Sequence, residues 1–363
     1  MTWTKAERGF MARAEALAAR GRYGAHPNPM VGAVIVKDGR VIGEGAHLRW
    51  GGPHAEVNAL RGCRSQARGA ALYVTLEPCS TYGKTPPCTE ALIKAGIREV
   101  FIGAADPNPA NAGRAARVLR RAGIKVRSGL LRRECEGLNP AFNKYMRTGL
   151  PYVTLKLAQS VDGRIADAAG RSKWISSPQA RLEAHRLRAE ADAVLAGIGT
   201  VLADDPRLDV RGVRVRRQPV TVVLDSRLRL PRRARLLANE RVLIASTRRP
   251  PAGRPYGPRA EVLTLPSEGG HVPLPALLRA LGGMGVSHVL VEGGGEVAGA
   301  FLSRGLVDRF VCFVAPLVIG GTASKSSVVW PDALNAVRRR LGIKARLHSV
   351  GHAGPDLALD LRF

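Results

Sequence analysis

Two consecutive α/β domains are what this sequence predicts, and three observations carry the expectation. The 363 residues are more than a single hydrophobic core usually fills. Short apolar runs rich in β-branched residues alternate with Ala- and Leu-rich stretches along the chain, the pattern of sheets layered with helices. That alternation breaks once in mid-chain, at Arg147-Thr148-Gly149-Leu150-Pro151, where turn formers replace any periodicity. The expected domains are residues 1–147 and 151–363.

In the first domain, residues 4–20 are Ala-rich and read as a helix. Met30 to Val36 is a buried-strand run stopped by the turn Lys37-Asp38-Gly39. Ala71 to Leu76 and Val100 to Gly103 read as further strands, each with a helical stretch nearby. The second domain opens with a strand at Tyr152 to Leu157, and strands recur at Ala193–Ala196, Val220–Leu224, Val242–Ala245, Val289–Val291 and Arg309–Val314. The stretch from Arg248 to Arg259 is too rich in Pro and Gly for either element and reads as a surface loop.

Hydrophobic content of 45% and charged content of 23% exclude a disordered or fibrous chain. Lys plus Arg is 56 against 29 Asp plus Glu, a formal charge of +27, and 46 of the bases are Arg. Such an excess predicts an anionic ligand and makes nucleic acid a partner to be weighed. The Arg are spread along nearly the whole chain with no basic arm and no aromatic interleaving, which favours a small anionic molecule over nucleic acid. No apolar run approaches the roughly 18 residues of a membrane span, and the start lacks a leader pattern, so no membrane contact and a cytoplasmic location are expected. Five scattered cysteines, Cys63, Cys79, Cys88, Cys135 and Cys312, argue against a disulfide scaffold and for packing, metal or catalysis.

One constellation in the first domain carries chemistry. Pro53-His54-Ala55-Glu56 is followed, after the strand 71–76, by Glu77-Pro78-Cys79 and then Pro86-Pro87-Cys88. One imidazole and two thiolates form a set that zinc accepts, with a fourth position left for water. Cys79 is placed after a strand and at a helix start, where the positive helix end would favour thiolate. His54 and Glu56 are two apart and converge only around a helix start, which Pro53 permits. Zinc would lower the pKa of its water, and Glu56 would shuttle the proton to a leaving amine, the logic of zinc deaminases. The generic deaminase pattern spaces its two cysteines by two residues, whereas eight separate Cys79 from Cys88. A helix-capping His54 with two core thiols, or a structural zinc completed by Cys63, are the alternatives.

At this point the residues resemble a family. The stretches Gly45 to Val57, Thr75 to Cys88 and Asp106-Pro107-Asn108-Pro109 are similar to the bifunctional riboflavin-biosynthesis deaminase/reductases. The resemblance implies a cytidine-deaminase-like zinc domain that deaminates a phosphoribosylated diaminopyrimidinone. It implies His54, Cys79 and Cys88 as zinc ligands and Glu56 as the proton carrier. Asn28, His47, Lys84, Asp106 and Asn108 would then line the substrate, although Asn28 and Asn108 also suit turns beside proline and Lys84 a solvated surface. The family commonly shows His where this chain has Thr81, a hydroxyl that hydrogen-bonds but carries no charge near neutral pH.

In the second domain, Val289 to Ala300 is a strand, a glycine-rich turn and a helix start whose amides can face a phosphate. It is not the G-x-G-x-x-G fingerprint, and alone it fits a tight turn with no ligand equally well. Leu155 to Ala166, Ser172 to Ser177, Gly199 to Pro206 and Leu224-Asp225-Ser226 resemble the reductase half of the same family. That resemblance implies a dihydrofolate-reductase-like fold and NADPH held by Ala158, Trp174, Thr200, Asp204, Ser226 and the turn Gly294, Gly295, Glu296, Val297, Ala298, Gly299 and Ala300. It implies substrate contacts from Ser172, Arg188, Leu208, Arg211 and Glu292, with catalytic Lys156 near the ribose that is opened to a ribityl chain. Guanidinium suits a phosphate because it offers two parallel donors. Here Leu317 follows Ala315-Pro316 where the family usually carries Lys. The two departures, Thr81 and Leu317, leave open a chain with one active half, and a homo-oligomer is expected.

Overall fold

The computed structural model describes residues 2–63, 66–83, 85–109, 111–330 and 342–363. The chain divides into two compact units, Met1–Gly149 and Leu150–Phe363. The helical stretch before the break runs further than the sequence pattern suggests, to Thr148, and Gly149 ends it with φ of 68°, a conformation that costs glycine nothing.

In order along the first unit come α1 (Lys5–Ala18), β1 (Gly32–Lys37), β2 (Arg40–Ala46), α2 (Ala55–Gly62), β3 (Ala71–Leu76), α3 (Cys88–Lys94), β4 (Glu99–Ala104), α4 (Arg114–Arg121), β5 (Lys125–Ser128), α5 (Arg132–Gly137) and α6 (Pro140–Thr148). Thr4 starts α1 with a capping box: its hydroxyl accepts from the Glu7 amide at 3.1 Å while the Glu7 carboxylate accepts from the Thr4 amide at 2.7 Å. Met11, Ala14 and Ala18 form its buried face. The sheet runs β2-β1-β3-β4-β5, antiparallel up to β3 and parallel beyond it. Gly45 on β2 lets α2 approach closely, since a Cβ there would lie 2.1 Å from the Ala55 carbonyl oxygen. That contact seats the start of α2 beside the carboxyl end of β3, where Glu77, Pro78 and Cys79 follow.

The second unit contains β6 (Tyr152–Ser160), β7 (Arg164–Ala166), α7 (Pro178–Glu190), β8 (Ala193–Gly197), α8 (Ile198–Asp204), β9 (Val220–Leu224), β10 (Val242–Ser246), β11 (Ala260–Thr264), α9 (Leu274–Gly283), β12 (His288–Val291), α10 (Gly295–Ser303), β13 (Arg309–Ala315), β14 (Lys325–Ser326), β15 (Arg346–Ala353) and β16 (Asp356–Arg362). Its main sheet has the order β11-β10-β9-β8-β12-β6-β13-β16-β15. All pairs from β11 to β13 are parallel, and the last two are antiparallel. The central strands are apolar throughout because both faces are covered: Leu195 packs with Leu277 and Phe301 on one side, Val194 and Ala196 with Leu187 and Val201 on the other. The chain runs outward from β8 to β11 and returns to insert β12 between β8 and β6. This reversal opens a crevice at the carboxyl ends of the strands, where open parallel sheets bind ligands.

Candidate active sites

In the first unit, His54 is the N-cap of α2, in extended conformation and with no side-chain cap bond, so its ring is free to turn elsewhere. Its Nδ1 lies 3.4 Å from Cys79 Sγ and 3.3 Å from Cys88 Sγ. The three donor atoms all fall within 4.8 Å of one another, a fit for one tetrahedral ion with its fourth position supplied by a non-protein ligand. Against the sequence expectation, Cys79 opens no helix; it sits in the loop after β3, and Cys88 is the residue that begins α3. The Cys88 amide donates to Cys79 Sγ at 3.3 Å, so a backbone dipole faces that sulfur. Hydrogen bonds from the Cys88 thiol and from His54 pull Cys79 down to about 4, toward thiolate. Cys63 stays away from this group: it is buried in the core cluster and donates to the Ala59 carbonyl at 3.3 Å.

Glu56 lies in the first turn of α2 and is buried. Burial, reinforced by Cys79, raises its carboxyl to about 6, close to a working pH for proton transfer. His47 packs edge-on against the His54 ring, with centroids 5.2 Å apart. Its Nδ1 faces the Pro53 carbonyl at 3.1 Å and so carries the proton, leaving Nε2 to accept from Asn28 Nδ2 at 3.2 Å. Burial lowers the His47 pKa and keeps the ring neutral. Asp106 and Asn108 follow β4, with the Asn108 amide donating to Asp106 Oδ1 at 2.8 Å. Lys84 lies outside the described residues.

In the second unit a cleft of about 680 Å³ opens at the carboxyl ends of β6, β8 and β12. Lys156, Ala158, Ser172, Trp174, Arg188, Thr200, Asp204, Leu208, Arg211, Glu292 and Gly294 all line it. Ser172 Oγ donates to Asp204 Oδ1 at 3.1 Å, and the Arg181 guanidinium lies 4.4 Å above the Trp174 ring, which is otherwise 70% exposed. Glu292 accepts from Arg188 Nε at 2.6 Å and Nη2 at 2.8 Å, while Arg188 Nη1 donates to the Asp209 carbonyl at 2.8 Å. Burial would raise the Glu292 carboxyl, but the Arg188 guanidinium overrides it and holds the group at about 2. Lys156, partly buried, has its pKa lowered by desolvation, a shift that the Glu292 charge opposes.

Two groups of expected site residues are engaged differently from the expectation. Arg188 is committed to Glu292 and Asp209, so the half-exposed Arg211, ion-paired to Asp209, is the more open of the two expected anion ligands. Within the turn Gly294 to Ala300, only Gly294 reaches the cleft wall. Gly295 and Gly299 face the segment from Ser326 to Val329, where a Cβ on Gly299 would come 1.8 Å from the Val329 carbonyl oxygen, and Ala298 is core. Glu296 is exposed and Val297 and Ala300 pack against the core. Ser226 also lies off the cleft wall; its Oγ accepts from the Val272 amide at 3.1 Å. The sequence reading missed His185, Arg207 and Arg181, which line the cleft. His185 and Arg181 share α7 with Arg188, so their helical spacing of three and seven residues from it was the available signal.

A His-Cys-Cys group able to hold one metal ion beside a buried carboxylate, and a cleft at a parallel-sheet switch point, together define a two-site enzyme of the deaminase and reductase classes. Residues 4–104 match the cytidine and deoxycytidylate deaminase zinc-binding region, and residues 151–359 match the RibD C-terminal domain. The chain belongs to the RibD family, the bifunctional deaminase/reductases of riboflavin biosynthesis. It is 43% identical to the riboflavin biosynthesis protein RibD of Escherichia coli K12 over 97% of this chain and 98% of that one. Among solved structures, RibD of Acinetobacter baumannii superposes with a TM-score of 0.86 at 40% identity, covering 99% of both chains. A diaminohydroxyphosphoribosylaminopyrimidine deaminase/5-amino-6-(5-phosphoribosylamino)uracil reductase of Thermotoga maritima gives 0.85 at 36% identity over 98% of both. No helix among the described residues is long and apolar enough to cross a membrane.

Proposed function

We propose that the first site deaminates the phosphoribosylated diaminopyrimidinone to 5-amino-6-(5-phosphoribosylamino)uracil, and that the second reduces the ribosyl group of that product to ribityl with NADPH, in the cytoplasm. The observation that carries the reading is the convergence of His54, Cys79 and Cys88 donors next to buried Glu56. His54, Cys79 and Cys88 would hold zinc, which supplies an activated water nucleophile when bound. The Glu56 carboxylate takes up a proton and returns it to the leaving amine, a task its pKa of about 6 suits. Asn28, His47, Asp106 and Asn108 orient the pyrimidine and its ribose.

In the second site NADPH supplies the hydride, and the protein supplies orientation and charge. Glu292, ionised by its pairing with Arg188, offers acceptors to sugar hydroxyls, with the Lys156 ammonium beside it. Arg211, with Arg207 sharing Asp209, faces the substrate phosphate. Arg188 acts through Glu292 instead of binding phosphate itself. Ala158, Thr200, Asp204 and Gly294 border the cofactor.

Zinc analysis and ammonia release from freshly prepared diaminopyrimidinone ribosyl phosphate test the reading together. The expected result is about one zinc per chain, ammonia without NADPH, and NADPH oxidation only once substrate is present. Glu56→Gln should abolish ammonia release and leave reduction of the deaminated substrate intact. Absence of zinc, or loss of both activities in folded Glu56→Gln protein, would overturn it.

A further inference from the structure

The loop after β4 carries a polar chain that neither zinc binding nor proton transfer explains. Asp106 is buried, and both of its carboxylate oxygens have partners: Oδ1 accepts from the Asn108 amide at 2.8 Å and Oδ2 from Asn111 Nδ2 at 3.1 Å. Asn111 in turn accepts at Oδ1 from the Thr81 hydroxyl, 3.0 Å away. The directions in this chain are forced. An ionised carboxylate only accepts, so Asn111 must present its NH2 to Asp106 and its carbonyl oxygen to residue 81. Residue 81 must therefore donate, and Thr81 does.

The same loop is pinned from behind. Glu77, buried and two residues before Cys79, accepts at Oε2 from the Asp106 amide at 3.4 Å and from the Gly113 amide at 2.9 Å, and at Oε1 from the Ala116 amide at 3.4 Å. Its carboxylate thus fixes the backbone on both sides of Asn111 and neutralises the amino end of α4. With the backbone held, the remaining freedom of Asp106 is rotation of its carboxylate, and Asn111 with Thr81 removes it. Hydrogen-bonded chains of this kind stiffen one another in a buried setting.

We propose that Thr81 and Asn111 are positioning residues for the deaminase substrate: a donor relay from Thr81 through Asn111 that fixes the plane of the Asp106 carboxylate. Thr81 suits the relay because a hydroxyl on a short side chain reaches Asn111 and supplies the required donor. The proposal rests on the reading of Asp106 as a substrate contact. A misaligned carboxylate weakens binding of the pyrimidine substrate while zinc and Glu56 remain in place, so the effect falls on KM.

Steady-state ammonia release by full-length Thr81→Val, Thr81→Ser, Asn111→Leu and Asp106→Asn proteins tests it, with zinc content and NADPH oxidation on the deaminated substrate as internal controls. Thr81→Val and Asn111→Leu should each raise the deaminase KM about 3- to 10-fold, the range of one lost neutral hydrogen bond, with kcat within about twofold. Thr81→Ser should restore the wild-type KM, and adding Thr81→Val to Asp106→Asn should change nothing further. Wild-type KM in Thr81→Val alongside a raised KM in Asp106→Asn would overturn the relay and leave the substrate reading standing. An unchanged KM in Asp106→Asn would overturn the substrate reading itself, and the relay with it. A Thr81→Val protein that loses zinc, or whose kcat falls in step with KM, would show a structural role and also count against the relay.

Discussion

Arg188 and Glu292 show how one residue's task depends on its partner. Both side chains are about nine-tenths buried, at 12% and 10% exposure, and their two parallel hydrogen bonds take up the guanidinium edge that a phosphate would use. Removing one member of such a pair leaves an unmatched buried charge, which costs more than the intact pair contributes. Arg188→Met should therefore destabilise the second unit by about 3 kcal/mol, at the lower end for a broken buried pair because Lys156 remains beside Glu292. Arg188→Lys should recover little, because an ammonium cannot make the two-pronged contact. Urea unfolding at neutral pH would measure both, and a Lys variant as stable as wild type would contradict the assignment. The resemblance marked both residues as site residues, yet not as each other's partner. They are 104 residues apart, and nothing in local spacing connects a helix before β8 to the turn after β12.

Elements differ in how plainly the sequence announced them, and the difference tracks burial. The strands buried on both faces, β3, β8, β9, β10 and β12, lie where apolar runs predict them, because a run covered on both sides has to be apolar throughout. The sequence reading missed β5, β7, β11, β14 and β16, and with them β2, which carries Gly43 and Gly45 where a strand would normally carry bulk, and β15, which is exposed along nearly its whole length. β2 is the instructive case, since its glycines mark the close approach of α2 and hence the seat of His54 and Glu56. The metal triad was legible from residue type and order. The placement of Cys79 in a loop was not, because it depends on α3 beginning only at Cys88. Gly45→Ala tests the packing: its methyl would lie 2.1 Å from the Ala55 carbonyl and 2.4 Å from the Ala59 amide, both rigid backbone. The variant should lose about 1–3 kcal/mol of stability in the first unit, retain less zinc on dialysis and release ammonia slowly, with NADPH oxidation on deaminated substrate unchanged. Full zinc retention would show that α2 shifts without moving His54.

Across the whole molecule, each unit closes its own core, the first around Ile35, Leu72 and Ile102 and the second around Leu195, Leu243 and Phe301, so each has its own response to conditions. The second unit should weaken in mild acid. His185 accepts from the Arg211 amide at 3.1 Å, and burial, followed by the charges of Arg188 and Arg211, lowers its pKa to about 4 against the partial opposition of Glu292 and Asp209. Glu292 is held at about 2 by Arg188, Lys156 and His185 despite its burial. Both folded values lie below the unfolded ones of 6.5 and 4.5. The unfolded chain therefore binds more protons as pH falls, first at His185 and then at Glu292, and the folded state loses ground throughout that window. Stability should be full above about pH 6.5 and decline progressively below it, the His185 contribution fading toward pH 4 and the Glu292 contribution below pH 4.5. Thermal unfolding of the full chain between pH 7.5 and 5 checks this, with the second unit's transition recognised by its upward shift on adding NADPH. His185→Gln keeps an acceptor for the Arg211 amide and removes the titration, so it should flatten the slope between about pH 6.5 and 5. A slope identical to wild type would place the acid sensitivity elsewhere in the unit.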